Sequence, residues 1–135
     1  MGFAVLLLVR IFKNIWFTRF ADKEGITDGE LRETVSRLEA GQSDADLGGG
    51  VYKMRVARSG KGKSGGYRVI VFFRSKERTF FVYGFAKSAR DNIDQGELRA
   101  FKHRARDVFS LTDEQIGERI QKGTLMEVFQ ETSQA

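Results

Sequence analysis

The chain has 135 residues, of which 41% are apolar, and a formal net charge of +5 at pH 7. This length predicts one domain with a sizeable core, which we place at residues 1–130, followed by a disordered tail at 131–135. The sequence contains no cysteine and one histidine, His103, which lies off the apolar stripe of its predicted helix. Disulfides, thiol catalysis, Cys-ligated zinc and a two-histidine ribonuclease site are therefore excluded within one chain.

The first third of the chain predicts one strand and two helices. Residues 3–9 are apolar but far fewer than the roughly 20 that a membrane span requires, and they lack the basic front of a signal peptide. We interpret them as the buried first strand of a cytoplasmic protein, with a non-native start as the alternative. Apolar spacing predicts a helix over 15–21 that stops at Gly25. Thr27 and Glu30 have the form of a capping box and predict a second helix, which stops at Gly41 before a loop over 42–50.

The middle of the chain predicts three antiparallel strands. Alternation over residues 51–57 places Lys53 and Arg55 on one face and Tyr52, Met54 and Val56 on the other. Apolar runs at 67–74 and 79–87 follow after short connections, which favours an antiparallel meander. Helix starts at Asp94 and Thr112 and a last strand over 125–130 complete the chain.

These elements predict an α+β fold with an N-terminal helical hairpin, an antiparallel sheet of three to five strands and C-terminal helices. We expect the helices to pack on one side of the sheet. We interpret Trp16 and the phenylalanines as core residues rather than as platforms on which nucleic-acid bases stack.

Positive charge is concentrated in residues 48–90. This segment contains 11 Lys and Arg residues against one acid, Glu77, whereas residues 1–47 carry a net charge of −2 and residues 91–135 a net charge of −3. A positive field this localised indicates a polyanion site, most often for nucleic acid. The alternative is a solvated cationic surface, but these cations alternate with strand-forming residues and do not form a tail.

Residues 60–65, Gly-Lys-Gly-Lys-Ser-Gly, match the glycine pattern of dinucleotide-binding folds. That fold requires a helix next, so that its N-terminus faces pyrophosphate, and here a strand follows. We therefore interpret the segment as a cationic hairpin loop whose glycines let the backbone approach phosphate. The residues predicted to bind RNA phosphate in and beside this loop are Arg58, Lys61, Lys63 and Tyr67.

Four cations are predicted to converge at one end of the sheet. Lys53 and Arg55 share a face, Arg68 enters the neighbouring strand, and Lys87 ends the third strand. Such a cluster can clamp a phosphodiester and its developing charge, although exposed cations on an open sheet face are the alternative. The carboxylates are spread over helices and form no compact cluster, so we predict neither a metal nor a cofactor.

Several separated motifs resemble the RelE/ParE superfamily of bacterial toxins, in particular the RelE-like, HigB-type branch. They are the run from Gly48 to Ile70, the segment Phe81–Ser88, and Asn92-Ile93, and the resemblance covers residues 10–109. It implies the toxin of a type II toxin–antitoxin pair that cuts mRNA on the ribosome without metal. It also implies a helix-turn-helix antitoxin as partner, with no membrane and no small-molecule cofactor.

The resemblance also implies roles for the four cations. Lys53 would be the general base, Arg55 and Arg68 would stabilise the phosphorane, and Lys87 would assist the leaving 5′-oxygen. The chain departs from the pattern in three places: Arg55 stands where relatives carry lysine, Ile93 lies near the position of a tyrosine, and the extension beyond Phe109 is longer than in minimal members. A ParE-like inhibitor of DNA gyrase and a non-catalytic nucleic-acid-binding module are the alternative functions.

Overall fold

Four helices cover the two faces of a six-stranded mixed sheet in the computed structural model, which describes residues 9–57 and 66–129. The strand order is β2-β3-β4-β5-β1-β6, and every neighbouring pair is antiparallel except β1 with β5. No helix in the described part of the chain is long and apolar enough to cross a membrane. The elements are β1 (Ile11–Asn14), α1 (Ile15–Glu24), α2 (Asp28–Glu39), β2 (Ala45–Gly48), β3 (Val51–Val56), β4 (Tyr67–Phe72), β5 (Thr79–Ala86), α3 (Gln95–Phe109), α4 (Asp113–Gln121) and β6 (Leu125–Val128).

The predicted α+β class and the antiparallel meander β3–β4–β5 are confirmed, but the predicted sheet is too small. Residues 45–48, predicted as loop, form β2 because their backbone pairs with β3. A first strand before the helical hairpin is present as β1 at Ile11–Asn14, and it pairs parallel to β5, whereas the predicted strand residues 3–8 lie outside the described residues. The helical hairpin therefore follows a strand. Residues 1–8 and the predicted tail at 131–135 lie outside the described residues.

Helix starts were predicted well because capping is a local interaction. Thr27, Asp94 and Thr112 each accept a hydrogen bond from the backbone N–H three residues later, and each of those residues returns one. Gly25 adopts φ 75° at the end of α1, a left-handed conformation that favours glycine.

The prediction that all helices pack on one side of the sheet is wrong. Helices α1 and α2 cover one face, where Phe17 and Leu31 pack on Val69 of β4 and its neighbours. Helices α3 and α4 cover the other face, where Phe101 and Ile116 pack. Strand β4 is buried on both sides, so its successive side chains enter two different cores.

A bulge in β5 decides which of its side chains face the two cores. Ile70 lies opposite Tyr83, whereas Val71 lies opposite Phe81, so Val82 has no partner residue in β4. This extra residue places Tyr83 on the α3 face and turns Gly84 toward α1. There an added Cβ would lie 2.5 Å from a ring carbon of Phe20.

We predict opposite stability changes for two Gly→Ala substitutions. Gly84→Ala should lower the free energy of unfolding by roughly 1–3 kcal/mol, because the new methyl group overlaps the Phe20 ring. Gly117→Ala should raise it by about 0.8–1 kcal/mol, since Gly117 is inside α4 with nothing within 4 Å of an added Cβ. Urea denaturation of both variants measures the difference. Equal changes in the two variants would contradict the packing of α1 on β5.

Candidate nucleic-acid interface

Two arginines face each other across β3 and β4. Arg55 lies directly opposite Arg68 in the antiparallel register, and Arg68 lies opposite Phe85 of β5. Directly opposed like charges destabilise a sheet, and among the described residues no hydrogen-bond or ion-pair partner is available to either guanidinium. An unneutralised pair held in this way favours an anion between the two side chains.

The backbone of Arg55 is fixed from the outer side of β3, beyond the end of β2. The carboxylate of Asp44 accepts a hydrogen bond from the Arg55 N–H, and the guanidinium of Arg37 donates to its carbonyl oxygen at 2.7 Å. Because both backbone groups point away from β4, Arg55 and Arg68 form a non-hydrogen-bonded pair, the kind in which side chains approach most closely. Charged neighbours therefore hold the backbone of Arg55 and leave its side chain free.

Gly66 leaves space beside the two arginines. A Cβ at Gly66 would lie 3.8 Å from Nη1 of Arg68 and 3.9 Å from Cγ of Arg55. Both side chains therefore extend over the backbone at the start of β4. A hydrogen atom in place of a side chain keeps this surface open to a ligand of the arginines.

Lys53 and Lys87 lie at the same end of the sheet as the arginine pair. Lys53 is two residues before Arg55 on the same face, and its Nζ donates to the side-chain oxygen of Asn92 at 3.3 Å. The backbone N–H of Lys87 donates to the carbonyl oxygen of Gly66 at 3.2 Å, which places Lys87 beside the entry to β4. The structure thus brings together the four cations that the sequence proposed as catalytic.

Of the four residues predicted to bind phosphate, the structure describes only Tyr67. Tyr67 points to the opposite face, where it is 1% exposed and its hydroxyl donates to Glu24 at 2.8 Å. Arg58, Lys61 and Lys63 lie outside the described residues. We therefore assign Tyr67 a place in the α1 core, and the three loop cations stay a prediction.

Arg90 joins the loop after β5 to the aromatic side chains of that strand. It donates to the Tyr83 hydroxyl at 2.9 Å and to the backbone oxygen of Asn92 at 2.8 Å, and it forms a close ion pair with Glu97. Its guanidinium carbon also lies 5.7 Å from the centre of the Phe85 ring. Arg90 therefore holds the loop that carries Asn92 against the sheet, and this fixes the position of Asn92, the hydrogen-bond partner of Lys53.

The sequence reasoning did not identify Asp44, Arg37, Asn92 or Arg90. Asp44 and Arg37 act on a backbone that is distant along the chain, and no local pattern records such a contact. Asn92 and Arg90 did carry a signal, because both are polar residues in the short connection between the end of β5 and the Asp94 capping box.

Ligands for a metal ion are scattered in the structure. No group of three or more His, Asp or Glu side chains that could hold an ion occurs within residues 9–57 and 66–129. The side chains of Arg55 and Arg68 are donors of hydrogen bonds to anions, which cannot coordinate a cation. The arrangement is suited to binding and polarising a phosphate.

We predict that the Arg90–Glu97 pair makes stability depend on pH. The Arg90 hydrogen bond and the Asp94 backbone N–H lower the pKa of Glu97, so the charged form is favoured in the folded state. The contribution of Glu97 to the free energy of unfolding is present above the unfolded pKa of about 4.3. It is lost as the pH falls through the lower pKa that Glu97 has in the folded state. Glu97→Gln should therefore unfold more easily than the parent at pH 7, and the gap should close in acid.

Chemical denaturation at a series of pH values measures that gap. Glu114→Gln is a matched control, because Glu114 is also in the first turn of a helix but has no partner among the described residues. A Glu97→Gln gap of the same size at pH 7 and pH 3 would contradict the assignment.

A comparison with protein families identifies the family of the chain. The chain fits the family described as the RelE toxin of the RelE/RelB toxin–antitoxin system over residues 9–128, a range that includes every strand and helix described above. The resemblance to RelE-like toxins is confirmed, whereas the HigB-type branch stays a prediction. With most of its length matched, the chain belongs to the RelE toxin family of toxin–antitoxin systems.

Proposed function

We propose that this protein is a metal-independent endoribonuclease that cuts mRNA on the ribosome in the cytoplasm, as the toxin partner of a helix-turn-helix antitoxin. The observation that carries the proposal is the unneutralised Arg55–Arg68 pair, with Lys53 and Lys87 beside it. Ribosome dependence and the antitoxin class rest on family membership. The site supplies the means of holding and cleaving a phosphodiester.

In the proposed reaction the ribose 2′-hydroxyl attacks the adjacent phosphorus. Lys53, as the neutral amine, accepts the 2′ proton while the new P–O bond forms. The P–O bond to the 5′-oxygen then breaks, and Lys87 gives a proton to that leaving oxygen. The products are a 2′,3′-cyclic phosphate and a 5′-hydroxyl, so no water, metal or redox partner is consumed.

Arg55 and Arg68 stabilise the transition state in this scheme. Each guanidinium presents a planar fork of N–H donors that matches two phosphate oxygens, and charge-assisted hydrogen bonds of this type are stronger than neutral ones. The negative charge on the phosphorane exceeds that of the substrate, so the pair binds it more strongly than the ground state. The like-charge repulsion between the two arginines is relieved at the same moment.

Asn92 fixes the general base in this scheme. Its side-chain oxygen accepts hydrogen bonds from Lys53 Nζ and from the backbone N–H of Ile93 at 2.9 Å, so the oxygen is oriented before substrate arrives. Ile93, near the position of a family tyrosine, cannot exchange protons. The acid–base work therefore falls to the two lysines.

We predict that Arg68→Gln separates activity from stability. Removal of one charge from the Arg55–Arg68 pair should leave the free energy of unfolding unchanged or raise it by up to about 1 kcal/mol. Loss of a preorganised donor to the transition state should lower the cleavage rate by about 10²–10³-fold. Single-turnover cleavage on programmed ribosomes and urea denaturation are the two measurements.

Lys122→Gln serves as the control, since it removes one exposed cation at the end of α4 and should cleave at the parent rate. Arg68→Lys keeps the charge but loses the fork, and its rate should lie between those of the parent and the glutamine variant. A folded Arg68→Gln protein that cuts at the parent rate would remove Arg68 from the site.

We predict a different effect for the loop cations. If Lys61 and Lys63 bind backbone phosphate, the double change to alanine should weaken ribosome binding and reduce the slope of log K against log salt by roughly 0.7–0.9 per contact. The rate at saturation should change little, because uniform binding affects KM rather than kcat.

Lys53→Ala should show the reverse pattern, with binding retained and the single-turnover rate lowered by about 10²–10⁴-fold. Comparison of the two variants on the same programmed ribosomes decides between the roles. The two roles would be exchanged if the Lys61 and Lys63 double variant cleaved slowly at saturating ribosome concentration while Lys53→Ala cleaved at the parent rate.

A further inference from the structure

Trp16, the single tryptophan of the chain, lies on the surface and not in the core where the sequence interpretation placed it. It occupies the first turn of α1, and 42% of the residue is exposed. Its ring centre lies 4.6 Å from that of Tyr83 and 5.3 Å from that of Phe20. This exposure leaves part of the residue open to a ligand.

A continuous line of rings connects Trp16 with the arginine pair. Tyr83, in contact with Trp16, lies 6.2 Å from Phe85, and Phe85 is the residue opposite Arg68. Arg90 lies over both rings, at 5.9 Å from Tyr83 and 5.7 Å from Phe85. The step from Tyr83 to Phe85 along the strand is only about 7 Å. Phe85 itself is buried, so Trp16 is the exposed member of this line of rings.

We propose that Trp16 is a stacking site for an unpaired base of the RNA strand whose phosphate is bound by Arg55 and Arg68. The inference rests on the proposed function and adds a base-binding subsite to it. Proteins that hold single-stranded RNA combine a cationic track for the backbone with aromatic rings for the bases, because every base has a π face. Here the track is the arginine pair and the ring is Trp16, with Tyr83 and Phe20 fixing its orientation.

The neighbourhood of Trp16 favours RNA over a protein partner. Ile15 is also exposed, at 44%, and an apolar pair at a helix start is compatible with protein docking. However, the Trp16 ring is continuous with Tyr83, whose hydroxyl and ring are both in contact with Arg90. The rings and Arg90 together connect Trp16 with the phosphate-binding arginines. Docking of a protein on Trp16 would not require a connection to these arginines.

Fluorescence tests the stacking directly, because emission comes from one tryptophan. The probe is a labelled single-stranded RNA hexamer, whose binding is followed by anisotropy at low salt, together with an abasic hexamer of the same charge. The base-bearing hexamer should quench Trp16 emission on binding, and the abasic hexamer should bind without quenching. Equal quenching by both, or unchanged emission with the base-bearing hexamer bound, would overturn the inference.

Ribosome-dependent cleavage provides the second test. Trp16→Ala should raise the ribosome concentration needed for half-maximal rate by about 5- to 150-fold, the effect expected from loss of one stacked base, and should leave the rate at saturation near that of the parent. Trp16→Phe should restore most of the affinity, because it keeps an aromatic face. Ile15→Ala, the adjacent exposed residue, should behave as the parent.

A folded Trp16→Ala protein with the half-saturation of the parent would overturn the inference, even if free RNA binds too weakly for the fluorescence measurement. So would a Trp16→Ala protein that loses binding of its antitoxin while it keeps that of RNA, since the patch would then dock a protein. A parent protein that does not cut at all would instead refute the proposed function, and the comparison of base-bearing and abasic hexamers would still decide the stacking.

Discussion

The structure depends on the burial of β4 on both faces. Tyr67, Val69 and Val71 enter the core under α1 and α2, whereas Ile70 and Phe72 enter the core under α3 and α4. Arg68 is the one position of the strand that is not fully buried. A charged side chain is tolerated there and at few other places on a strand of this kind. The location of the candidate site therefore follows from the one position at which β4 stays partly exposed.

The same constraint explains how two arginines persist side by side. Asp44, the acid in contact with Arg55, accepts a hydrogen bond from its backbone N–H, and Arg37 donates to its backbone carbonyl oxygen. The bulge in β5 directs Tyr83 and Phe85 to the face of Arg68. The repulsion between the guanidinium groups costs less than the burial of the strand residues on either side contributes. The site is thus held in place by apolar packing that does not involve the charged atoms.

The sequence predicted the features that depend on neighbouring residues and missed those that depend on distant ones. Helix starts at Thr27, Asp94 and Thr112 and the two faces of β3 follow from contacts within a few residues, and these predictions are confirmed. The pairing of β2 and the parallel contact of β1 with β5 bring together segments far apart in the chain. The second helical layer was missed for a related reason, since apolar runs in β4 and β5 are compatible with burial on one face or on both.

The bulge illustrates a further limit for the site. Strict alternation from Phe80 would place Phe80, Val82 and Gly84 on one face and leave Tyr83 and Phe85 on the other. The extra residue reverses this assignment, so the aromatic neighbours of Arg68 were not predictable from the period of the strand. The position of the four cations at one end of the sheet was predictable, because three of them lie before the bulge in sequence and the fourth follows the end of the strand.

The charge of the central segment divides between the two ends of the meander. At the β4–β5 connection, Arg78 pairs with Asp113 and donates to the Leu111 backbone, and Arg74 lies 4.3 Å from the centre of the Phe109 ring. These cations hold α3 and α4 to the sheet. At the opposite end, no acid among the described residues pairs with the side chains of Arg55, Arg68 or Lys87. The net charge that first indicated a polyanion site is therefore partly structural, and Arg55 and Arg68 keep an unneutralised part of it at the end of the sheet where Gly66 leaves the surface open.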